Sequence, residues 1–177
     1  MKITKDLKRY SEGSFFKAVY TLLLNSNFQM IFWYRVANFF YKIHLSPISK
    51  IIMYFHKLTY SVDIDYRATI DGGFKIVHGL AIVIGKDVVI EKNVTIYQSV
   101  TLGGNNNKRK LIQGKERSQP YLHSGVTVYS GAYVLGPCEI GENSVIGAAT
   151  LLTGDLAPNT CVFTKATREE RQLSVQE

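Results

Sequence analysis

Two periodicities divide this chain. Through the first sixty residues the apolar positions recur at spacings of three and four: Phe28, Ile31, Phe32, Val36, Phe39, Phe40 and Ile43 form one row, and Ile48, Ile51, Ile52 and Phe55 another. Such rows predict amphipathic helices. They break near Ser46-Pro47, where proline suits the first turn of a new helix. A shorter helix is expected over Phe15 to Leu24. From Val62 onward the apolar residues return at every sixth position instead. Ile64, Ile70, Ile76 and Ile82 keep that step, a two-residue insertion resets it, and Ile84, Ile90, Ile96 and Leu102 continue. After a polar stretch it resumes at Leu122, Val128, Val134, Ile140, Ile146 and Leu152. Neither a helix nor an ordinary strand has a period of six, so the repeat predicts a solenoid. Each hexad is a short strand plus a turn, three hexads close one triangular coil, and stacked coils pair as parallel strands.

Smaller residues four places after the bulky ones, among them Ala68, Val94, Val100, Ala132, Ser144 and Thr150, are expected to share the interior. Gly85, Gly141 and Gly147 are expected at corners where the backbone bends sharply. The fold class is therefore mainly β, a parallel β-helix with a short α-helical N-terminal region. Its expected parts are a helical cap over 1–62, the solenoid over 63–163 and a tail over 164–177. A basic loop, 105–120, is ejected from the solenoid and carries Lys108, Arg109, Lys110, Lys115 and Arg117 against Glu116 alone.

Composition sharpens this picture. With 46% hydrophobic residues in 177, a full core can form and general disorder is excluded. The net charge is +7, and residues 1–62 alone hold nine Lys/Arg against two Asp/Glu. The excess thus belongs to the helices, and no nucleic-acid reading module accompanies it, so nucleic acid is not an expected partner. The same 62 residues hold 14 of the 21 aromatics, expected mostly as helix-face core. The helices read first as a cap on the first coil and second as a peripheral contact with an anionic membrane. The uncharged run from Ala18 to Tyr34 is too short and too polar at Asn25, Ser26, Asn27 and Gln29 for a membrane-spanning helix. Cys138 and Cys161 have no metal-ligand spacing; a reducing, cytoplasmic setting and no metal are expected.

Several words of the solenoid resemble the left-handed β-helix acyltransferases with hexapeptide repeats, within them the serine acetyltransferase branch. These are Val62-Asp63-Ile64, Val77-His78-Gly79, Ile82-Val83-Ile84-Gly85 and the run from Thr95 to Gly104, TIYQSVTLGG. The resemblance implies a left-handed coil, a homotrimer with sites between subunits, and acetyl-CoA as cosubstrate. It maps His78 as general base and Asp63, fifteen residues earlier, as its partner. A hydroxyl needs such a base to attack a thioester, and a carboxylate on the other ring nitrogen would orient the imidazole. Gly104, Ser130 and Ala148 fall where the family's backbone meets CoA, and Gln98, Ser118 and Gln119 where the acceptor lies.

Three departures bear on the acceptor. Only about sixty residues precede the repeats, Val77 stands where the family has an Asp before the base, and Ser118-Gln119 replaces an Arg-His pair before Pro120. The chain therefore resembles bacterial capsule, exopolysaccharide and lipopolysaccharide O-acetyltransferases more, which implies a saccharide acceptor, anionic or lipid-linked. Serine O-acetylation is the alternative, and a scaffold without catalysis the blander one. Thr164-Lys165-Ala166-Thr167 departs from the family's closing turn.

Overall fold

The computed structural model describes residues 1–165. The closing-turn departure and the tail expected over 164–177 fall largely on 166–177, outside the described residues. Four helices come first: α1 Lys2–Ser11, α2 Phe15–Leu24, α3 Ser26–Lys42 and α4 Ser46–Tyr60. Pro47 lies in the first turn of α4, as the pattern predicts. Helix α1 is additional to the helices the periodicity predicts. Half of its ten residues are charged, and it is held by polar contacts to the solenoid together with packing on α2 and α3.

The solenoid has three parallel faces. One joins β1 (Asp63–Ile64), β4 (Val83–Ile84), β7 (Thr101–Gly104), β12 (Tyr133–Gly136) and β15 (Leu151–Leu152). The second joins β2 (Thr69–Ile70), β5 (Val89–Ile90), β10 (Tyr121–Leu122) and β13 (Glu139–Ile140). The third joins β3 (Lys75–Ile76), β6 (Thr95–Ile96), β11 (Thr127–Val128), β14 (Val145–Ile146) and β16 (Cys161–Val162). This is the mainly β, three-faced parallel architecture that the six-residue period predicts. Away from the insertion, the ejected loop and the last turn, coils advance by 18 residues, Val83 pairing with Thr101 and Tyr121 with Glu139.

The inward row from Ile64 to Ile146 is buried throughout, and the residues two places before the inward ones, mostly smaller but including the buried Phe74, fill the space beside it. Ile82 changes role. The first advance is 20 residues, Asp63 to Val83, so Ile84 takes the inward place and Ile82 the companion place held elsewhere by Ala68 or Val100. The two extra residues bulge from the corner between β3 and β4.

Gly85, Gly141 and Gly147 serve close approach rather than sharp bending, and none has positive φ. A Cβ on Gly85 would enter the Gln119 side chain, one on Gly147 would meet Phe163 Cβ at 2.8 Å, and one on Gly141 would strike Ala157 and Pro158 backbone. The left-handed corners fall instead on Asn93, Ser99, Gly125, Gly131, Asn143 and Ala149. Close approach also governs Gly136, where a Cβ would stand 2.6 Å from both Gln119 C and Pro120 N. That backbone cannot yield cheaply. Gly136→Ala is expected to lower stability by ~1–3 kcal/mol, read as a fall in the urea midpoint.

The ejected loop is ordered as a hairpin of β8 (Lys110–Ile112) and β9 (Lys115–Arg117). Ile112 is buried beneath it, Gln113 Nε2 donates to Glu139 Oε1 at 2.7 Å, and Lys110 pairs with Asp155.

Helices α1, α3 and α4 pack on the first coil, and α2 packs against α1 and α3. Asp6 on α1 is fully buried: its carboxylate accepts from Arg35 Nε at 3.0 Å, Gly73 N at 2.7 Å and Phe74 N at 2.9 Å. Arg35 also donates to the carbonyls of Ile70 and Asp71, and Tyr10 exchanges two hydrogen bonds with the Ile76 backbone. Only the sides of α3 and α4 that face the coil or each other become core. Phe28, Met30, Ile31 and Tyr34 are buried, whereas Phe15, Phe16, Tyr20, Phe39, Tyr54 and Phe55 are exposed. The expectation that most helix aromatics are core is thus corrected.

Candidate active site

The inserted corner, Val77 to Ala81, is held at every other backbone position. Val77 N donates to Ile96 O at 2.9 Å, Gly79 N to Asn27 Oδ1 at 2.8 Å and Ala81 N to Ser61 O at 3.0 Å, while Leu80 O accepts from Ser99 N at 2.8 Å. Within this fixed frame His78 adopts φ 55°, a left-handed conformation costly for a side-chain-bearing residue, and its side chain is exposed. Backbone strain of this kind is tolerated where surrounding structure over-determines it, and it collects at functional sites. Here the insertion turns an imidazole outward on a rigid base.

Asp63 lies on β1, beside the strand that leaves this corner. Among the described residues no hydrogen bond joins it to His78; its carboxylate instead accepts from Lys57 Nζ at 2.5 Å, and both side chains are more than half exposed. The structure therefore brings Asp63 and His78 to one end of the first coil without forming the expected pair. Lys57, at the end of α4, competes for the carboxylate. Asn27 and Lys57 are site residues that the sequence reading missed. Asn27 was read only as polarity within an apolar run, and nothing local shows that a helix start meets a corner fifty residues later.

Four predicted residues share one corner column. The backbones of Gln98, Ser130 and Ala149 stack in turn: Gln98 O accepts from Gly131 N at 3.0 Å and Ser130 O from Ala149 N at 2.9 Å. His78, Gln98, Ser130 and Ala148 thus follow one edge of the prism, one per coil. Gln98 Oε1 is buried and has no partner among the described residues. Beside this column Tyr97 and Tyr129 stack with centroids 4.9 Å apart at 25°, one and two coils above Val77.

The other predicted residues lie on the next corner. Gly104, Ser118 and Gln119 line a polar hollow of about 240 Å³ together with Lys86, Asp87 and Arg109. Ser118 Oγ donates to Asp87 Oδ2 at 3.2 Å, and Gln119 Oε1 is buried without a partner among the described residues. A Cβ at Gly104 would meet Ser118 O at no closer than 3.5 Å, so the backbone there is open to a ligand. Within one chain the two groups stand at opposite ends of the β1–β15 face. The structure does not bring them together.

On the second face His123 lies between two carboxylates, Nδ1 3.3 Å from Glu91 and Nε2 2.7 Å from Glu139. The His123 bond, then that from Gln113, holds the Glu139 carboxyl below its ordinary range. Each ring nitrogen has its own carboxylate, so the trio forms a ladder across coils rather than a chelate. Among the described residues no group of three or more His, Cys, Asp or Glu is placed to hold a metal ion. Both cysteines are free; burial pushes the Cys138 thiol up to about 12, away from nucleophilic use.

Residues 120–154 match the family model described as bacterial transferase hexapeptide (six repeats). The matched residues lie within the last coils of the solenoid. A putative serine acetyltransferase of Schizosaccharomyces pombe (strain 972 / ATCC 24843) is 38% identical over 50 residues, 28% of this chain and 18% of that protein. Among solved structures, soybean serine acetyltransferase complexed with serine superposes with a TM-score of 0.81 at 27% identity, covering 94% of this chain and 67% of that one. Serine acetyltransferase isoform 3 from Entamoeba histolytica, in complex with cysteine, gives 0.83 at 26%, covering 98% and 60%. A serine acetyltransferase in complex with CoA gives 0.77 at 26%, covering 90% and 65%. The hexapeptide-repeat chain thus spans under a fifth of the curated relative that it matches. Its helices as well as its coils have counterparts in the solved chains. These relatives favour the serine alternative over the saccharide branch expected from the short N-terminus.

Proposed function

We propose that this protein is an acetyl-CoA-dependent O-acetyltransferase in which His78 is the general base. The carrying observation is the exposed imidazole, fixed at φ 55° on an inserted corner whose backbone is bonded on all sides. His78 takes the proton of the acceptor hydroxyl as its oxygen attacks the thioester carbonyl, and as the carbon–sulfur bond breaks it returns that proton to the leaving thiolate, releasing CoA. The residues suit that cosubstrate. Gly104 offers open backbone, Ser130 and Ala148 put small side chains along the His78 edge, and on the adjoining loop Lys108 supplies charge for phosphates beside Arg109 and Lys110, which are paired with Glu116 and Asp155. Asp63 orients the imidazole once Lys57 releases it.

The split between two corners supports a homotrimer. If a neighbouring copy sets its Gly104 and Gln119 corner against this copy's His78 edge, each cleft holds the complete set. Acetyl-CoA as cosubstrate suits a cytoplasmic enzyme.

The solved relatives favour serine as acceptor, and the hollow lined by Lys86, Asp87 and Arg109 offers both signs of charge. A second reading, a saccharide hydroxyl, rests on the apolar Val77 beside the base and the stacked Tyr97 and Tyr129 above it, which suit an uncharged ring better than a zwitterion. CoA release measured with L-serine and with a saccharide panel separates the two. Turnover with serine alone removes the saccharide reading, turnover with saccharides alone removes serine, and no CoA release or acetyl-CoA binding overturns the proposal.

A further inference from the structure

Helices α2, α3 and α4 expose many large apolar side chains. Trp33 joins Leu22 and Phe32 in a groove between α2 and α3, and joins Ile51 and Phe55 in a cavity of about 350 Å³ between α3 and α4. One aromatic thus links three helices. The surrounding side chains are open: Leu22 is 45% exposed, Ile51 59%, Phe55 60% and Leu58 64%. Apolar surface of this breadth marks an interaction site.

Charge selects the occupant. Both acids of residues 1–62 are already neutralised, Asp6 buried against Arg35 and Glu12 paired with Lys17. Of the nine cations in the same segment, Lys2 and Lys57 pair with Asp71 and Asp63 of the solenoid, while Lys5, Lys8, Arg9, Lys42 and Lys50 have no acidic partner among the described residues; Lys50 precedes Ile51 in the chain. A second copy on this face would bring like charge against like charge, whereas an anionic lipid surface matches both the apolar centre and the basic surround. No helix among the described residues is long and apolar enough to cross a membrane, so the fitting geometry is a layer lying on the surface.

We propose that α2, α3 and α4 dock this protein on an anionic lipid surface, with Trp33, Ile51, Phe55 and Leu58 entering the headgroup boundary. Helix α3 also carries Asn27 and Met30, against which Gly79 packs, so docking sets the His78 corner at a fixed place relative to the lipid. The inference goes beyond the transferase reading and stands without it.

The test is cosedimentation of the full chain with phosphatidylcholine vesicles and with vesicles that also contain phosphatidylglycerol, at low and high salt. Binding at least about tenfold stronger to the anionic vesicles, weakened by salt, is expected from several lysines each acting near the surface. Phe55→Ser with Leu58→Ser, both at exposed positions, is expected to cut binding about tenfold or more while circular dichroism stays unchanged. Equal binding to both vesicle types, no binding, or full binding by the double variant overturns the proposal. So does a fall in the particle mass of that variant without vesicles, which assigns the face to a second copy. Vesicle binding requires no turnover, and CoA release is measured without vesicles, so failure of either reading is seen separately.

Discussion

CoA release by His78→Ala is expected to fall about 10²–10⁴-fold, the range that a positioned general base supplies. The loss belongs in kcat, with KM for acetyl-CoA little changed, because the imidazole acts on the acceptor's proton rather than on the cosubstrate's binding contacts. Folding should be unaffected. The side chain is exposed, and the hydrogen bonds that hold this corner come from the backbone of Val77, Gly79, Leu80 and Ala81. Single-turnover kinetics alongside thermal unfolding check both halves. Turnover that persists in His78→Ala would remove the histidine from the chemistry, while a large fall in Tm would make the residue structural. The strained φ of 55° adds a control: His78→Gly should keep or raise stability, since glycine reaches that conformation without cost, yet lose activity equally.

Asp6→Ala is expected to destabilise the protein by about 3–5 kcal/mol, because it removes one partner of a buried ion pair and leaves the other uncompensated. Asp6 is fully buried and serves the Arg35 guanidinium and the backbone N–H groups of Gly73 and Phe74 at once. Without it, two donors at the corner of the first coil lose their acceptor, and Arg35 keeps only the carbonyls of Ile70 and Asp71. Asp6→Asn retains an acceptor for the backbone but not the charge, so an intermediate loss is expected. Glu12→Ala, which breaks the exposed pair with Lys17, should change the urea midpoint little. If Asp6→Ala matched Glu12→Ala, the helices would not be locked to the coil through this contact. The ion pair also helps to explain why so basic a segment is held as a helix: Asp6 ties it to the first coil, while Tyr10 packs edge to face on Phe28 of α3.

How much was legible in the sequence differs by element. The six-residue period reports directly on side-chain direction, since a residue that misses the interior would expose an aliphatic or bury a polar group; hence the three faces and the row from Ile64 to Ile146 follow from spacing alone. Ile82 shows the limit. Its six-residue distance from Ile76 is real, but the insertion makes it a companion of Ile84, and only the pairing of Asp63 with Val83 reveals this. The glycines show another. Gly85 and Gly147 were expected to bend, yet they are small because Gln119 and Phe163 approach from neighbouring coils, a contact that lies far away in sequence.

The candidate site divides in the same way. His78, Gln98, Ser130 and Ala148 share an edge because solenoid position is a linear function of residue number, so motif spacing maps onto geometry. Gly104, Ser118 and Gln119 gather on the next corner because the loop leaves and returns there, again a matter of register. The pairing of Asp63 with Lys57 and the bond from Asn27 to Gly79 could not be read that way, because the helices follow a different period and dock by surface complementarity. What the sequence by itself determined is therefore whatever repeats: the coil, its inward row and the edge that carries the histidine. What only the tertiary structure decided is whatever depends on two unlike parts meeting. That includes the lock of α1 through Asp6, the frame that strains His78, and which side of the helix layer became core and which remained an apolar, basic surface.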